Sequence, residues 1–185
     1  IEGIAANQLE VVMLATGPTQ TAEIVGGVAQ AGLSPKWIAL APAYNDAFVA
    51  PDFALKDLME SSMYVTAWGA PYSYDSIGHA KMRAALTASG VDSTSSFLVA
   101  GWMSQYSLES ALRALVSSGD AMTRANLRQK LTSLQVSSDN MMMSYQLNSP
   151  SSSSVIGKPD GSAAGGVQLL EFVSTDESVA DVCFG

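Results

Sequence analysis

Few residues in this 185-residue chain are suited to covalent chemistry, and they do not cluster. His79 is the only histidine and Cys183 the only cysteine. His79 stands in a helical pattern beside Lys81 and Arg83, with no cysteine and no serine elbow to partner it. The pattern reads it as a solvated helix histidine. With His and Cys far apart, neither a zinc site nor a cofactor is expected. Gly17-Pro18-Thr19 is not followed by the Gly-Lys-Ser/Thr of a phosphate loop. Met141, Met142 and Met143 are consecutive, so they cannot all face one ion, and packing is the better use for them. What remains is the chemistry of binding. Thr16, Gly17, Pro18 and Thr19 stand where an apolar run gives way to a helix. Free N–H groups and the helix dipole there favour an anionic or carbonyl group. The same four residues also suit an ordinary turn capped by its own threonine. Ala41 to Tyr44, with Ala43 between, ends the next apolar run on the same edge. Tyr44 offers a ring face and a hydroxyl, either to a ligand or simply on the rim. Tyr72 and Tyr74 fall in the loop GAPYSYD, as rim or surface residues.

These positions are set by a strand–helix–strand unit over 10–44. Val11 to Leu14 is a short apolar run, the mark of a strand buried on both faces. Gly17 permits a sharp turn, and Pro18 suits a first helical position because its missing N–H would have no intrahelical partner. Ile24, Val25 and Val28 recur at helical spacing. Gly32 closes that helix and Pro35 prevents its return. The Gly26-Gly27 pair inside it permits close packing of helix on sheet. Trp37 to Leu40 is the second strand, and a right-handed crossover joins the two. Ligands of such sheets bind beyond the carboxyl ends of the strands.

The rest of the chain continues the pattern. Residues 1–8 read as the end of a helix. Asp46 to Glu60 reads as a short helix or turn, then a second short helix capped by Asp52. SMYVTAW, 62–68, is a third strand. Helices are expected over 76–89, 97–117 and 123–134, the last capped by Thr123, with Leu127, Leu131 and Leu134 on one face. MMMSYQL, 141–147, reads as an edge strand. Asn148 to Gly166 reads as a Ser/Gly/Pro-rich surface loop of low order, and VQLLEFV, 167–173, as a last strand. The fold class is therefore α/β, a parallel sheet flanked by helices. Three segments follow: 1–92 as an α/β core, 93–140 as helices with wide apolar faces and no sheet of their own, and 141–185 as a strand pair.

Composition narrows the function. Apolar residues make up 48%, enough for a core, while charged residues are only 14%. A net charge of −8, with no basic run, argues against nucleic acid and anionic lipid as partners. No apolar stretch approaches the roughly 20 residues that span a bilayer. One cysteine permits no internal disulfide. The chain begins at Ile1, and this reading takes the N-terminal part as missing.

In order along the chain, LATGPTQTAEIVGGVAQAGLSPKWIALAP, MYVTAW, HAKMRAAL, GWMSQYSLESALRAL and GDAMTRANLRQKLTSL resemble periplasmic solute-binding proteins of the leucine/isoleucine/valine-binding class. Each motif is weak alone; their order carries the resemblance. It implies the second lobe of a two-lobed protein that closes on a small molecule, with C-terminal helices packing on a missing first lobe. It implies a membrane permease of an ATP-driven (ABC) importer as partner, no catalysis, and a periplasmic or lipoprotein location. It adds Trp102 as an aromatic against the cleft, where the residues themselves read as helix core. The amino-acid binders of the class hold the ligand ammonium with an acid near the second strand end. Here Leu40, Ala41 and Pro42 stand there, which leaves room for an organic acid, an amide or an aromatic compound. The same fold serves as a ligand sensor in regulators and receptors, which is the alternative reading.

Overall fold

The computed structural model describes residues 2–67, 69–137, 139–142 and 153–174. The chain opens with a one-turn helix, α1 (Glu2–Ala6), and then β1 (Val11–Leu14), α2 (Pro18–Gln30) and β2 (Lys36–Leu40). Gly32 adopts φ +76° and its N–H reaches the Ala29 carbonyl at 2.9 Å, so it ends α2 as its position implies. Two short 3-10 turns, Ala41–Ala43 and Asp46–Val49, lead to α3 (Lys56–Ser62) and β3 (Met63–Ala67). Asn45, not Asp52, provides the cap here, accepting from Ala47 N–H at 2.8 Å, and the residue before α3 is Leu55, whose side chain caps nothing.

Then come α4 (Ile77–Ala88), α5 (Ser96–Ser118) and α6 (Arg124–Ser133). Ser76 and Thr123 cap α4 and α6 through the N–H groups three residues on, and Gly119 at φ +69° ends α5. The last strands are β4 (Ser153–Pro159) and β5 (Val167–Ser174).

The five strands form one sheet in the order β1-β2-β3-β4-β5. The pairs β1–β2 and β2–β3 are parallel, with Leu14 opposite Ala39 and Ala39 opposite Val65. β4 and β5 are antiparallel, and β4 pairs with β3. The C-terminal strands thus complete the sheet begun by the first strand–helix–strand unit. Three expectations change. Residues 153–159 are a strand rather than disordered loop, because Val155 is buried against the sheet and alternates with half-exposed neighbours. Met141 and Met142 form no strand; they lie in a bend, with Met141 fully buried. Residues 143–147 of the expected strand, with Trp68 and Cys183, lie outside the described residues. And β1 is not buried on both faces, since only β2 flanks it: Val11 and Met13 are 54% and 65% exposed.

Two apolar clusters hold the unit together. The larger joins Val25 and Val28 of α2 with Trp37, Ala39, Met63 and Val65 of the sheet and with Tyr44, Phe48 and Met59. Each large side chain removed from water here contributes about 1.5–3 kcal/mol. Gly26 faces this cluster, but a Cβ on it would meet Leu55 at 3.3 Å, so its small size lets α2 approach the segment before α3 rather than the sheet. The smaller cluster joins Met82 of α4, Val99 and Met103 of α5, and Met141. Here α5 packs on the lobe through α4, and α6 packs on α5. The far side of α5 stays open, leaving Leu108 45% and Val116 73% exposed.

Candidate ligand-binding site

The parallel strands β1, β2 and β3 end side by side at Leu14, Leu40 and Ala67, so the segments 16–19, 41–44 and 69–71 share one edge of the sheet. This is the edge where open α/β sheets bind ligands. At its first position Pro18 begins α2 as expected. No side chain caps the helix; Thr16 instead shares a hydrogen bond with Thr21 at 2.9 Å, and Thr19 is exposed. Gly17 is extended at φ −79°, so the turn uses no left-handed backbone. Among the described residues the first-turn N–H groups therefore have no side-chain partner, the condition an anionic or carbonyl group would satisfy.

At the second position Ala41 is half-buried, Pro42 is exposed and Ala43 is fully buried. Tyr44 is 1% exposed and is neither a rim aromatic nor a free hydroxyl. Its O–H donates to the Gly166 carbonyl at 2.6 Å, tying the end of β2 to the start of β5. Burial first, then the charges of Asp46, Glu60 and Asp160, push its phenol well above the ordinary range, so it remains a donor. The ring sits edge-on to Phe48, with centroids 5.8 Å apart.

The third position, the loop after β3, carries Tyr72 and Tyr74, expected as rim or surface residues, and it is the most firmly anchored of the three. Ala70 N–H donates to the Met141 carbonyl at 2.8 Å. Arg83 reaches back from α4 to the carbonyls of Tyr72 and Tyr74 at 3.1 and 3.2 Å. Ser73 Oγ donates to the Val167 carbonyl at 2.8 Å. His79 is fully buried beneath this loop, not solvated. Its Nε2 lies 3.2 Å from the Ala70 carbonyl, which can only accept, so Nε2 carries the hydrogen. Nδ1 then accepts from the Ser76 hydroxyl at 2.8 Å. Burial holds its pKa below the ordinary histidine value, and the Arg83 charge adds to this against the Ala70 bond. A helix histidine followed by Lys81 and Arg83 looks solvated; the signal of burial is Ser76 three residues earlier, able to cap the helix and hold the ring together.

Behind these strand ends lies a cavity of about 130 Å³. Ala41, Tyr44, Val65 and Ala67 form its sheet side, with Gly69 to Pro71 above and Val155 and Val167 from the last strands. Phe97, Ala100 and Met103 of α5 close the opposite side, on one helical face at spacings of three. A Cβ on Gly69 would displace the thioether end of Met103 and come within 3.1 Å of the Met141 carbonyl, so glycine lets the loop meet α5 closely here. No ionisable group other than the committed Tyr44 hydroxyl lines the cavity among the described residues.

Of the expected contacts, Ala41 and Tyr44 meet at this cavity, whereas Thr16 to Thr19 stand beside it on the same edge, outside its lining. Trp102 is elsewhere. Its Nε1–H points to the Tyr106 hydroxyl at 3.4 Å, which in turn lies 3.3 Å from Asp139 Oδ2. Lys81 joins the same carboxylate at 2.6 Å. These residues bound a separate open hollow of about 630 Å³ with Glu109 and Arg113. A third hollow, about 640 Å³ and more open still, lies between Tyr74, Ile77 and Asn140. No group of three or more His, Cys, Asp or Glu that could hold a metal occurs among the described residues.

A family model described as periplasmic binding protein matches residues 1–176. The chain belongs to the periplasmic binding protein family. The resemblance read from its motifs thus holds over nearly its whole length. Three solved structures share the fold of this periplasmic binding protein chain. A fatty acid ABC transporter substrate-binding protein from Thermomonospora curvata superposes with a TM-score of 0.80 at 22% identity, over 95% of this chain and 46% of its own. A branched chain amino acid ABC transporter protein from Thermus thermophilus, with bound valine, gives 0.76 at 12% identity, over 100% of this chain and 50% of its own. A solute-binding protein of R. palustris in complex with benzoate gives 0.64 at 15% identity, over 92% and 45%. The chain spans about half the length of these structures, the extent of one α/β lobe. No curated protein matches it.

Proposed function

We propose that this chain is the second lobe of an extracytoplasmic solute-binding component of an ABC importer. A small organic molecule would lie between the strand-end segments described here and a first lobe, and closure of the two lobes would present it to a membrane permease. The observation that carries this reading is the convergence of 41–44, 69–71 and the first turns of α5 around one cavity at the carboxyl edge of a parallel sheet. Family membership supports it, as do three structural relatives: a fatty acid ABC transporter substrate-binding protein, a valine complex and a benzoate complex. Binding without turnover suits the site. His79 is buried, and both its ring nitrogens are committed to structural hydrogen bonds.

Backbone amide NMR of the chain titrated with leucine, benzoate and octanoate tests the location. Perturbations confined to 16–19, 41–44, 69–71 and 96–103 are expected. Perturbations centred on α6, around Arg124 and Arg128, would overturn it.

A further inference from the structure

The cavity behind the strand ends points to the kind of solute, an inference that rests on the solute-binding reading. We propose that it receives an uncharged, apolar end of the ligand, a six-carbon ring or a short branched alkyl group. Its walls are Ala41, Val65, Phe97, Val99, Met103 and Val155, and no charged side chain is among them. An isolated charge moved into such walls would lose its hydration with nothing to replace it. Its volume of about 130 Å³ is close to that of the roughly 150 Å³ apolar cavity that stays dry and takes benzene in another protein. Gly69 keeps the loop down on Met103, and Gly157 is equally constrained, since a Cβ there would stand 2.5 Å from Val167 Cγ1. Phe97 is 62% exposed although it lines the cavity, leaving an aromatic edge at its mouth. The polar end of the solute then lies outside, toward the uncapped first turn of α2 on the same sheet edge.

The test is methionine-methyl NMR of the 185-residue chain with benzene as probe, alongside amide NMR with leucine. Benzene is expected to shift the Met103 methyl saturably while leaving the exposed Met13 and Met122 methyls in place. Ala100→Leu, on a half-buried helical position, fills the cavity and is expected to weaken benzene by about tenfold. The wild-type methyl response stands on its own should the variant fold poorly. An unmoved Met103 methyl overturns the inference, as does an equal response in a folded A100L chain or equal shifts at Met13 and Met122. If leucine perturbs the amides of 16–19 while benzene leaves Met103 unmoved, the solute-binding reading stands and only the apolar-end inference falls. If neither probe acts at the strand ends, both fall.

Discussion

Replacing His79 by phenylalanine should remove one anchor of the loop after β3 while keeping a ring of similar shape in the site. The ring now makes two hydrogen bonds, to the Ala70 carbonyl at 3.2 Å and from the Ser76 hydroxyl at 2.8 Å. Each contributes about 1 kcal/mol net, and leaving the Ala70 carbonyl buried without a partner costs about 1–3 kcal/mol more. His79→Phe should therefore destabilise the chain by about 3–5 kcal/mol, a large share of the roughly 5–15 kcal/mol of a typical domain. Urea unfolding at constant slope gives the difference directly. The same substitution should alter the pH dependence. Burial depresses the folded pKa below that of the unfolded chain, so between the two values the unfolded chain binds a proton that the folded chain does not. The stabilising contribution is full above the unfolded value of about 6.5 and falls away as pH drops toward the folded value, by at most about 1.4 kcal/mol per pH unit. Glu60, Asp120 and Asp160, all held below their ordinary values, act in the same direction but only below about pH 4.5, where the unfolded carboxylates titrate. Wild type should lose stability as pH falls through about 6.5, and His79→Phe should not. A cost under about 0.5 kcal/mol, or an unchanged pH slope in the variant, would refute the reasoning.

Gly69→Ala should displace the Met103 thioether and press on the Met141 carbonyl, costing about 1–3 kcal/mol by overpacking, read as a lower urea midpoint; a neutral result would show that Met103 swings clear without strain. Tyr44→Phe should cost only about 0.5–1.5 kcal/mol, because the Gly166 carbonyl still accepts from Asp160 N–H at 2.9 Å. Gly166→Ala should cost more than Tyr44→Phe, since φ is +72° and the new Cβ would stand 2.9 Å from Val49 Cγ2 and 3.0 Å from the Tyr44 hydroxyl. Comparing the three midpoints in one buffer checks the ordering.

The strand–helix–strand unit was legible because its punctuation is local: Gly17-Pro18 starts α2 and Gly32 with Pro35 ends it. Caps at Ser76 and Thr123 are local in the same way, and helix bounds near them lie within a residue or two of the structure. β4 was not legible. Its sequence, SSVIGKP, is rich in Ser and Gly, and it is a strand only because β3 and β5 flank it on both sides. Tyr44 and His79 were misplaced for a related reason. Each is polar and sits near a turn, yet each is buried by a partner remote in sequence or in the loop above, Gly166 for one and Ala70 for the other. The strand ends 16–19 and 41–44 could be read as one edge from the strand pattern alone. The cavity could not, since α5 and the last strands complete it from positions 97–103 and 155–167.

As one wall of a two-walled solute site, this lobe alone should bind its solute weakly. For a solute held at micromolar affinity, about −8 kcal/mol, one wall supplying half would leave about −4 kcal/mol, a millimolar dissociation constant. Calorimetric titration of the 185-residue chain with benzoate, octanoate and leucine measures this directly. The predicted result is millimolar binding at best, with leucine no tighter than benzoate or octanoate. Micromolar or tighter binding of leucine by this chain alone would contradict it.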